Sequence, residues 1–357
     1  MSTYILEVQD LQKWFPARRT LGEALRRERH WIRAVDGVSF QVRRGEIFAL
    51  IGESGCGKTT TGKLIMKLLE PSGGRILFDG QDVTHLDPDA LRQYKRRVQM
   101  IFQDPYASMN PRFRVRRVLA EPLEIHGIGK NMAERDELAM KALREVKLIP
   151  PEEFMERFPH MLSGGQRQRV ATARTLILSP SFIVADEPVS MVDLSTRAEL
   201  LHMMKEVQQS LNLTYLYITH DLSTARYFAD RIAVMYLGKI VEMGGADEII
   251  DHALHPYTKA LIEAVPEPLP GRVNLIKTLP IKGEIPSPAN IPQGCRFHPR
   301  CVYAQPQCWE NEEPGLEEAQ AGHFVACRRY REIAAEMPAP AGEDAVETKA
   351  SMAAGQR

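Results

Sequence analysis

Residues 51–61, IGESGCGKTTT, are the stretch that most constrains the fold of this chain. Gly52 is followed, after four residues, by Gly57, Lys58 and Thr59, which is the full pattern of a phosphate-binding loop. The apolar run just before the stretch predicts a buried strand, and the segment just after it predicts a helix. Backbone N–H groups and the positive end of that helix would then face the β- and γ-phosphates of a nucleotide.

Each residue type in this loop has a physical task. The glycines let the backbone turn with its N–H groups directed inward, Lys58 is expected to contact the phosphates, and the hydroxyl of Thr59 is expected to bind Mg²⁺. The alternative is a glycine-rich turn that merely joins a strand to a helix, and the Lys–Thr pair argues against it. The predicted nucleotide-binding residues of the loop are Gly52, Ser54, Gly55, Gly57, Lys58, Thr59 and Thr60.

The charge of the chain is balanced, with 46 Lys plus Arg against 46 Asp plus Glu in 357 residues. No global basic field marks it as a nucleic-acid-binding protein, so no nucleic-acid partner is expected. The sequence shows neither a secretion signal nor a run of about twenty apolar residues, so no membrane span is predicted. Any association with a membrane would therefore depend on a partner.

The periodicity of apolar residues predicts an α/β protein with several parts. Tyr4–Val8 and Val38–Val42 alternate apolar and polar residues, as half-exposed antiparallel strands do. Helical periodicity dominates about residues 104–179, which predicts a separate helical subdomain. The continuous apolar run at 181–185 predicts a central parallel strand. An Arg-rich insertion at about residues 17–33 is predicted to be a solvated helix or loop.

The composition changes past Pro256, where prolines accumulate and regular periodicity fades. We therefore expect a nucleotide-binding domain over residues 1–265 and a Cys-containing extension over residues 266–335. The small, polar residues at 336–357 predict a disordered tail.

Two carboxylates end the predicted strand FIVADE at residues 182–187. Asp186 is placed to hold Mg²⁺ through water, and Glu187 is placed to polarise an attacking water as general base. Two acids at a strand end can also simply cap a turn. The phosphate loop makes the catalytic interpretation the better one.

A helix start lies between the phosphate loop and the acidic strand. Residues 162–166, LSGGQ, begin a predicted helix with Ser163 as its N-cap. The pentapeptide resembles the signature of ATP-binding cassette (ABC) proteins. Gln103, the stretch Ser190–Asp193 and His220 resemble, in register, the Q-loop glutamine, D-loop and switch histidine of that family. The resemblance implies an ABC-type P-loop NTPase with a RecA-like core, an antiparallel β subdomain and an α-helical subdomain.

The resemblance also implies roles for single residues. Gln103 would sense Mg²⁺ and the attacking water, and His220 would bond the γ-phosphate. Phe15 matches the aromatic position that stacks on adenine, with Trp14 as its rival. In this family the signature faces the ATP of an opposite subunit, so the site is completed only in a head-to-tail dimer. The residues expected to bind that ATP are Ser163, Gly164, Gly165, Gln166 and Asp193.

A finer resemblance covers about residues 4–330. The segments IFQDPYASMNPR, RFPHMLSGGQRQRV, LHPYTKALIEAVP and GEIPSPANIPQGCRFHPRC resemble the ATPase subunits of oligopeptide and dipeptide importers. The chain departs from that family at Met161, where glutamate is common, in the Met–Val pair of the D-loop, and in the long Arg-rich insertion. These departures leave the catalytic residues intact, but leave the solute and the pairing partner open.

This resemblance implies an ATPase that powers peptide uptake from the cytoplasmic face of the cell membrane. Its partners would be a second ATPase subunit, identical or paralogous, two membrane-spanning permeases and an extracytoplasmic solute-binding protein. Nickel or an oligosaccharide remains possible as the solute. A soluble ABC ATPase with no transport role is a second alternative, although the chain has neither the two cassettes nor the coiled-coil insertion common in that class. Glu187 and His220 argue against a regulatory subunit that does not hydrolyse ATP.

Four of the five cysteines crowd into the extension: Cys295, Cys301, Cys308 and Cys327. They are separated by five, six and eighteen residues, and no pair has the two-residue spacing of zinc knuckles. Four thiolates can hold a 4Fe–4S cluster, for which spacing rules are looser, and some members of the peptide-importer family carry one in this tail. An iron–sulfur cluster, zinc and free thiols all remain open, with His298 and His323 as substitute ligands.

Overall fold

The computed structural model describes residues 3–17, 31–265 and 281–336. Most of the Arg-rich insertion, the first part of the extension and the tail predicted to be disordered lie outside these ranges. The strands are β1 (Tyr4–Pro16), β2 (Trp31–Arg43), β3 (Ile47–Ile51), β4 (Gly73–Phe78), β5 (Gln81–Asp82), β6 (Val98–Ile101), β7 (Phe182–Asp186), β8 (Thr214–Thr219), β9 (Arg231–Tyr236), β10 (Lys239–Gly245), β11 (Glu317–Gln320) and β12 (His323–Val325).

The helices connect these strands. They are α1 (Lys58–Ile65), α2 (Pro88–Arg97), α3 (Val115–Ile125), α4 (Met132–Glu145), α5 (Pro151–Met155), α6 (Gly164–Leu176), α7 (Leu194–Leu211), α8 (Leu222–Phe228), α9 (Ala246–Asp251), α10 (Pro256–Glu263), α11 (Gln307–Glu310) and α12 (Tyr330–Glu336), with a 3-10 helix at Pro159–Met161. Within the described ranges no helix is long and apolar enough to cross a membrane.

The larger sheet has eight strands in the order β11-β12-β10-β9-β3-β8-β7-β6. Strands β3, β6, β7, β8 and β9 are parallel, and every residue of β3, β7 and β8 is buried. Continuous apolar runs suit parallel strands that are covered on both faces. Strand β7 was predicted on this ground.

The smaller sheet is antiparallel, in the order β2-β1-β4-β5. Strand β2 buries alternate residues from Asp36 to Val42, since one face packs on the core and the other meets solvent. The ring of Phe40 stacks on that of Phe48 in β3, with centroids 5.1 Å apart, and this contact joins the two sheets. The α/β fold class predicted from the sequence is confirmed.

Helices α3 to α6 are inserted between β6 and β7, which are neighbours in the larger sheet. Their buried residues, among them Val118, Leu123, Leu143 and Val170, share one hydrophobic core with the parallel strands. The inserted helices therefore pack against the larger sheet through this shared core. The exact limits of the insertion, and the domain limits at residues 265 and 335, stay a prediction.

The extension adds two strands that the sequence did not predict. Strand β12 pairs antiparallel with β10, with Glu242 opposite Val325, and β11 pairs with β12. The Glu242 carboxylate is fully buried and accepts the N–H groups of Leu254 and His255. His323 Nε2 lies 2.8 Å from the same carboxylate. A buried, charge-assisted contact thus fastens β12 to the edge of the sheet.

The pair of His323 and Glu242 predicts a pH-dependent stability. Burial lowers the pKa of His323, but its bond to Glu242 and the charge of Glu248 outweigh burial, so the pKa is raised. A histidine whose pKa is raised by folding stabilises the folded state fully at any pH below its unfolded pKa of about 6.5. This stabilisation is lost as the pH rises through the pKa of the folded state. His255 does not titrate in this window because burial lowers its pKa to about 4.

His323→Gln is therefore expected to lower the free energy of unfolding by about 2 kcal/mol at pH 6, and by less at pH 9. Chemical denaturation of both proteins across this range measures the difference. His85→Gln is the control, because the His85 side chain is 77% exposed. An effect of His323→Gln that does not vary with pH would contradict the assignment.

Candidate nucleotide site

The phosphate loop joins β3 to α1, as predicted, and its backbone requires glycine. Gly52, Gly55 and Gly57 have φ angles of 152°, 80° and 113°. A Cβ atom on Gly52 would lie 2.2 Å from the carbonyl oxygen of Met235, and one on Gly57 would lie 2.2 Å from that of Ala34. The loop is therefore pressed between β9 and β2, and no larger residue fits at either position.

Lys58 and Thr59 begin α1 behind this loop. The buried Lys58 side chain turns back over the loop, where Nζ lies 2.7 Å from the carbonyl oxygen of Gly52 and 3.0 Å from that of Glu53. Its ammonium group is thus held at the inner face of the loop, where a phosphate would bind. The position agrees with the role that the sequence suggests.

Thr59 and Asp186 bring two hard oxygen ligands together. The Thr59 hydroxyl donates to Asp186 Oδ1 at 3.0 Å, and Asp186 is the buried last residue of β7. Burial raises the pKa of Asp186, the Thr59 bond lowers it, and the neighbouring Glu187 raises it further, with a net upward shift. A carboxylate whose negative charge is poorly solvated favours a cation beside it. A hydroxyl and a carboxylate are the donors that Mg²⁺ prefers, so this pair fits that ion.

Glu187 is the centre of a second group of side chains. Gln103 Nε2 donates to Glu187 Oε2 at 2.9 Å, and His220 Nδ1 lies 2.9 Å from Glu187 Oε1. Glu187 itself has a φ of 46°, a left-handed conformation that is strained for this residue type. Its N–H donates to the carbonyl of Ile218 in β8, which holds the strained turn in place. The three residues predicted to be catalytic therefore meet at one carboxylate.

The sheet topology explains this meeting. Gln103, Glu187 and His220 follow β6, β7 and β8, and the phosphate loop follows β3, the neighbour of β8. The carboxyl ends of parallel strands lie at one edge of a sheet, where ligands of open α/β sheets bind. Residues more than one hundred positions apart are brought together in this way.

The signature helix begins as predicted. Ser163 and Gln166 form a capping box, in which each side chain bonds the backbone N–H of the other residue. Gly165 faces Thr196 of α7 so closely that an added Cβ would lie 2.4 Å from its methyl carbon. Among the residues that the structure describes, no hydrogen bond joins this helix start to the phosphate loop.

Asp193 caps α7 next to the signature helix. Its Oδ1 accepts the Ser195 hydroxyl at 2.7 Å and the Thr196 N–H at 3.0 Å. These bonds lower the pKa of the exposed Asp193 carboxyl to about 2. The carboxylate is therefore fixed in the ionised form at the molecular surface. Like the signature, it lies on the surface of its own subunit rather than against its own phosphate loop.

The two candidate aromatic residues occupy adjacent positions near the end of β1, so their rings point to opposite faces of the sheet. The Trp14 indole N–H donates to Asp36 at 3.1 Å, and the guanidinium of Arg33 lies over its ring. The Phe15 ring has the Lys13 ammonium 5.3 Å from its centroid. Trp14 is thus the more heavily engaged of the two.

Comparison with known proteins now identifies the family. The ABC transporter family model matches residues 35–190, and the model of the oligopeptide/dipeptide transporter C-terminal region matches residues 241–308. The oligopeptide transport ATP-binding protein AppF of Bacillus subtilis is 47% identical over 327 residues, covering 91% of this chain and 97% of that protein. A putative peptide import ATP-binding protein of Brucella ovis is 44% identical, covering 92% and 98%. The chain belongs to the ATP-binding subunits of oligopeptide/dipeptide ABC transporters.

Solved structures agree with this assignment. The ATP-binding cassette MJ0796, in a dimeric post-hydrolysis state bound to ADP and phosphate, superimposes with a TM-score of 0.59 and 27% identity, covering 68% of this chain and 98% of that one. CbiO1 of Clostridium perfringens, part of an ABC transporter complex, gives a TM-score of 0.60 and 25% identity, covering 70% and 92%. The chain is therefore an ATPase of the ABC type, and ATP is its nucleotide.

The four cysteines of this ABC ATPase extension lie near one another. The N–H of Cys295 donates to the carbonyl of Cys308 at 2.8 Å, and the thiol of Cys327 interacts electrostatically with the other three. Burial and the neighbouring thiols raise the pKa of Cys295 to about 11 and that of Cys327 to about 12.

Within the described ranges, no three His, Cys, Asp or Glu side chains are arranged to hold a single metal ion. This finding supports neither a zinc site nor an iron–sulfur cluster. His323, considered as a substitute ligand, is instead paired with Glu242. His298 Nδ1 lies 2.9 Å from the carbonyl oxygen of Cys295.

The sequence alone did not identify Glu53, within the phosphate loop, or its partner Arg300 as residues of the site. Glu53 occupies a loop position that the motif leaves free, and its carboxylate is bonded by Arg300 of the extension. Nothing in the local pattern of either residue signals this contact, because they are 247 positions apart. The only sequence signal is the presence of two arginines between Cys295 and Cys301.

The packing of Gly57 generates a prediction. Gly57→Ala would require a left-handed alanine and a shift of the backbone at Ala34, so we expect ATP affinity to fall by about 100-fold, or about 2.7 kcal/mol. Titration with a fluorescent ATP analogue measures the change. Gly80→Ala is the control, since Gly80 also has a positive φ of 78° but faces open space away from the loop. Equal affinities for the two variants would contradict the role of close packing.

Proposed function

We propose that this ABC ATPase hydrolyses ATP with Glu187 as the general base and thereby powers the import of peptides. The observation that carries this proposal is the convergence of Gln103 and His220 on the Glu187 carboxylate, beside the Thr59–Asp186 pair. Peptide as the solute class is supported by the names of the relatives and by the match of the C-terminal region.

Each residue has a distinct task in this mechanism. The loop N–H groups and Lys58 bind the phosphates, and Thr59 and Asp186 would hold Mg²⁺, which supplies neutralising charge when bound. Glu187 accepts a proton from the attacking water. Gln103 and His220 fix the orientation of that carboxylate through one bond to each oxygen, so that it faces the γ-phosphate. We assign Gln103 a further contact with Mg²⁺ and His220 a contact with the γ-phosphate.

We further propose that the site is completed by a second ATPase subunit. Ser163 and Gln166 bond each other, and Asp193 bonds its neighbours Ser195 and Thr196. Ser163 and Asp193 are exposed at the starts of α6 and α7, where a second subunit can meet them. The related cassette MJ0796 is described as a dimer with ADP and phosphate. Ser163, Gly164, Gly165, Gln166 and Asp193 would bind the ATP of that partner subunit, while Phe15 stacks on the adenine of its own.

We propose that the permease partner binds in a cavity of about 260 Å³ between the parallel sheet and the inserted helices. Its lining includes Leu68, Phe102 and Ile125, which are 46%, 41% and 60% exposed, although large apolar side chains are usually covered. Lys95 adds positive charge, whereas the guanidinium of Arg174 is paired with Glu121 at 3.2 Å. An apolar permease helix with an acidic end would fit. Phe102 precedes Gln103, so occupation of the cavity can reach the catalytic centre directly.

The remaining components follow from this role. The ATPase would sit at the cytoplasmic face of the membrane, bound to two permease subunits, and an extracytoplasmic binding protein would deliver the peptide. Among the relatives, AppF is named for oligopeptide transport. The proposal favours peptides over nickel or oligosaccharides on that ground.

Glu187→Gln tests the mechanism. The amide keeps the size of the side chain but cannot accept the proton, so we expect ATP turnover to fall by about 10²- to 10⁴-fold while ATP affinity changes little. Turnover is measured by phosphate release, and affinity with a fluorescent ATP analogue. Glu199→Gln is the matched control, because the Glu199 side chain is 71% exposed and lies on the outer face of α7. Undiminished hydrolysis by Glu187→Gln would refute the assigned base.

For the cysteines we propose a 4Fe–4S cluster. A cluster needs four thiolates, each bound to a different iron, and the four cysteines belong to one stretch of the extension, in which the N–H of Cys295 donates to the carbonyl of Cys308. Burial raises the pKa of Cys295, Cys301 and Cys327, so these thiols would release their protons on binding the cluster. Such a group would stabilise an extension that buries few apolar residues.

Anaerobically purified protein is therefore expected to contain iron and sulfide and to show a visible absorption band that reduction bleaches. Cys308→Ser should remove the band, whereas Cys56→Ser, at the cysteine outside the extension, should retain it. Zinc without iron, or a colourless protein without metal, would contradict the cluster.

A further inference from the structure

The extension contacts the phosphate loop through a partly buried ion pair between Arg300 and Glu53. Arg300 Nη1 donates to Glu53 Oε2 at 2.6 Å, and Nη2 donates to Glu53 Oε1 at 3.1 Å. The Arg300 side chain is only 7% exposed. Two parallel bonds between a guanidinium and a carboxylate fix direction as well as distance. Glu53, which lies between Gly52 and Ser54 of the loop, is therefore held in one orientation by the extension.

The rest of Glu53 is held from two other sides. Its backbone N–H donates to the hydroxyl of Tyr257 in α10 at 2.9 Å, and its carbonyl accepts Lys58 Nζ at 3.0 Å. The carbonyl oxygen that accepts the Lys58 ammonium thus belongs to Glu53, the residue whose carboxylate is bonded by Arg300. A change in the Arg300 contact would shift a carbonyl that positions the phosphate-binding ammonium group.

A second arginine of the same segment reaches the opposite side of the site. Arg296 donates to Asp36 at 2.5 Å and to the carbonyl of Leu237 at 2.5 Å. Asp36 in turn accepts the indole N–H of Trp14 at 3.1 Å. The segment 295–301 therefore contacts the phosphate loop directly. It also contacts Asp36 of β2, which in turn bonds Trp14 of β1, the residue next to Phe15.

Burial of two guanidinium groups carries a large desolvation cost, so it is an unfavourable way to attach a surface segment. An apolar contact of equal volume would stabilise it as well or better, because desolvation offsets most of the attraction within a buried ion pair. What the ion pairs provide instead is a defined geometry. One ion pair fixes Glu53 of the phosphate loop, and the other fixes Asp36, the partner of Trp14.

We propose that Arg300 is a positioning residue for ATP binding, which fixes the phosphate loop through Glu53 and makes nucleotide affinity depend on the Cys-rich segment. The proposal rests on the ATP-binding role of that loop. Because Cys295 and Cys301 bound the segment that carries both arginines, any group that ties these thiols together also fixes the arginines. The extension would thus set the affinity of a site to which it contributes no catalytic group.

A double-mutant cycle on the full-length chain tests the proposal. The variants are Arg300→Gln, Glu53→Gln and the double variant, with Arg328→Gln as control, since Arg328 is an exposed arginine of the same extension whose Nη2 bonds a backbone carbonyl. Affinity is measured with a fluorescent ATP analogue, KM and kcat by phosphate release, and folding by thermal denaturation.

Each single variant is expected to weaken nucleotide binding and raise KM for ATP by about tenfold, with kcat changed by less than about threefold. The double variant should be no weaker than the single variants, because all three remove the same contact. Arg300→Lys keeps the charge but loses the paired bonds, so an intermediate affinity is expected. Arg328→Gln should match the wild type.

Three results would overturn the proposal. One is an unchanged affinity in Arg300→Gln and Glu53→Gln. Another is a double variant whose loss is the sum of the two single losses. The third is a fall in kcat and thermal stability with KM unchanged, which would indicate a merely structural contact. If Arg300→Gln fails to fold, Glu53→Gln and Arg300→Lys still decide the question. A wild type that binds no ATP would refute the proposed function itself, which separates the two failures.

Discussion

Parallel strands β3, β6, β7 and β8 end at one edge of the larger sheet, and each end carries part of the nucleotide site. This alignment brings together the phosphate loop, Gln103, the Asp186–Glu187 pair and His220. The Glu187 turn shows how strongly the sheet constrains the site, because a strained left-handed glutamate is held by a backbone bond to β8. Such a conformation persists only where the surrounding structure imposes it.

The sequence was most informative where chemistry depends on local spacing. The glycine positions of the phosphate loop, the N-cap at Ser163 and the apolar run of β7 are all features of contiguous residues, and the structure has them where they were predicted. The parallel order of the strands then explains why separate motifs converge. The roles of Phe15 and Asp193 and the domain limits stay predictions.

Contacts of the extension could not be predicted, for a physical reason. Arg296 and Arg300 lie in a Pro-rich segment with no periodicity, and their partners Asp36 and Glu53 are 260 and 247 residues away. Long-range ion pairs leave no local pattern. The ring of Phe297, 1% exposed, packs between Tyr236 and Tyr257 at centroid distances of 5.3 and 5.4 Å. One aromatic anchor and a few buried charges thus hold a segment that lacks the apolar residues of an ordinary core.

The order of the strands places the proposed permease cavity and the extension on opposite sides of the nucleotide site. Strand β6, beside the proposed permease cavity, forms one edge of the sheet, and β11 and β12 of the extension form the other. From the first edge, Gln103 reaches the Glu187 carboxylate. From the second side, Arg300 reaches the phosphate loop. In the proposed mechanism the first contact bears on hydrolysis and the second on ATP binding. Because no residue is shared between the two contacts, we expect the two steps to be adjustable separately.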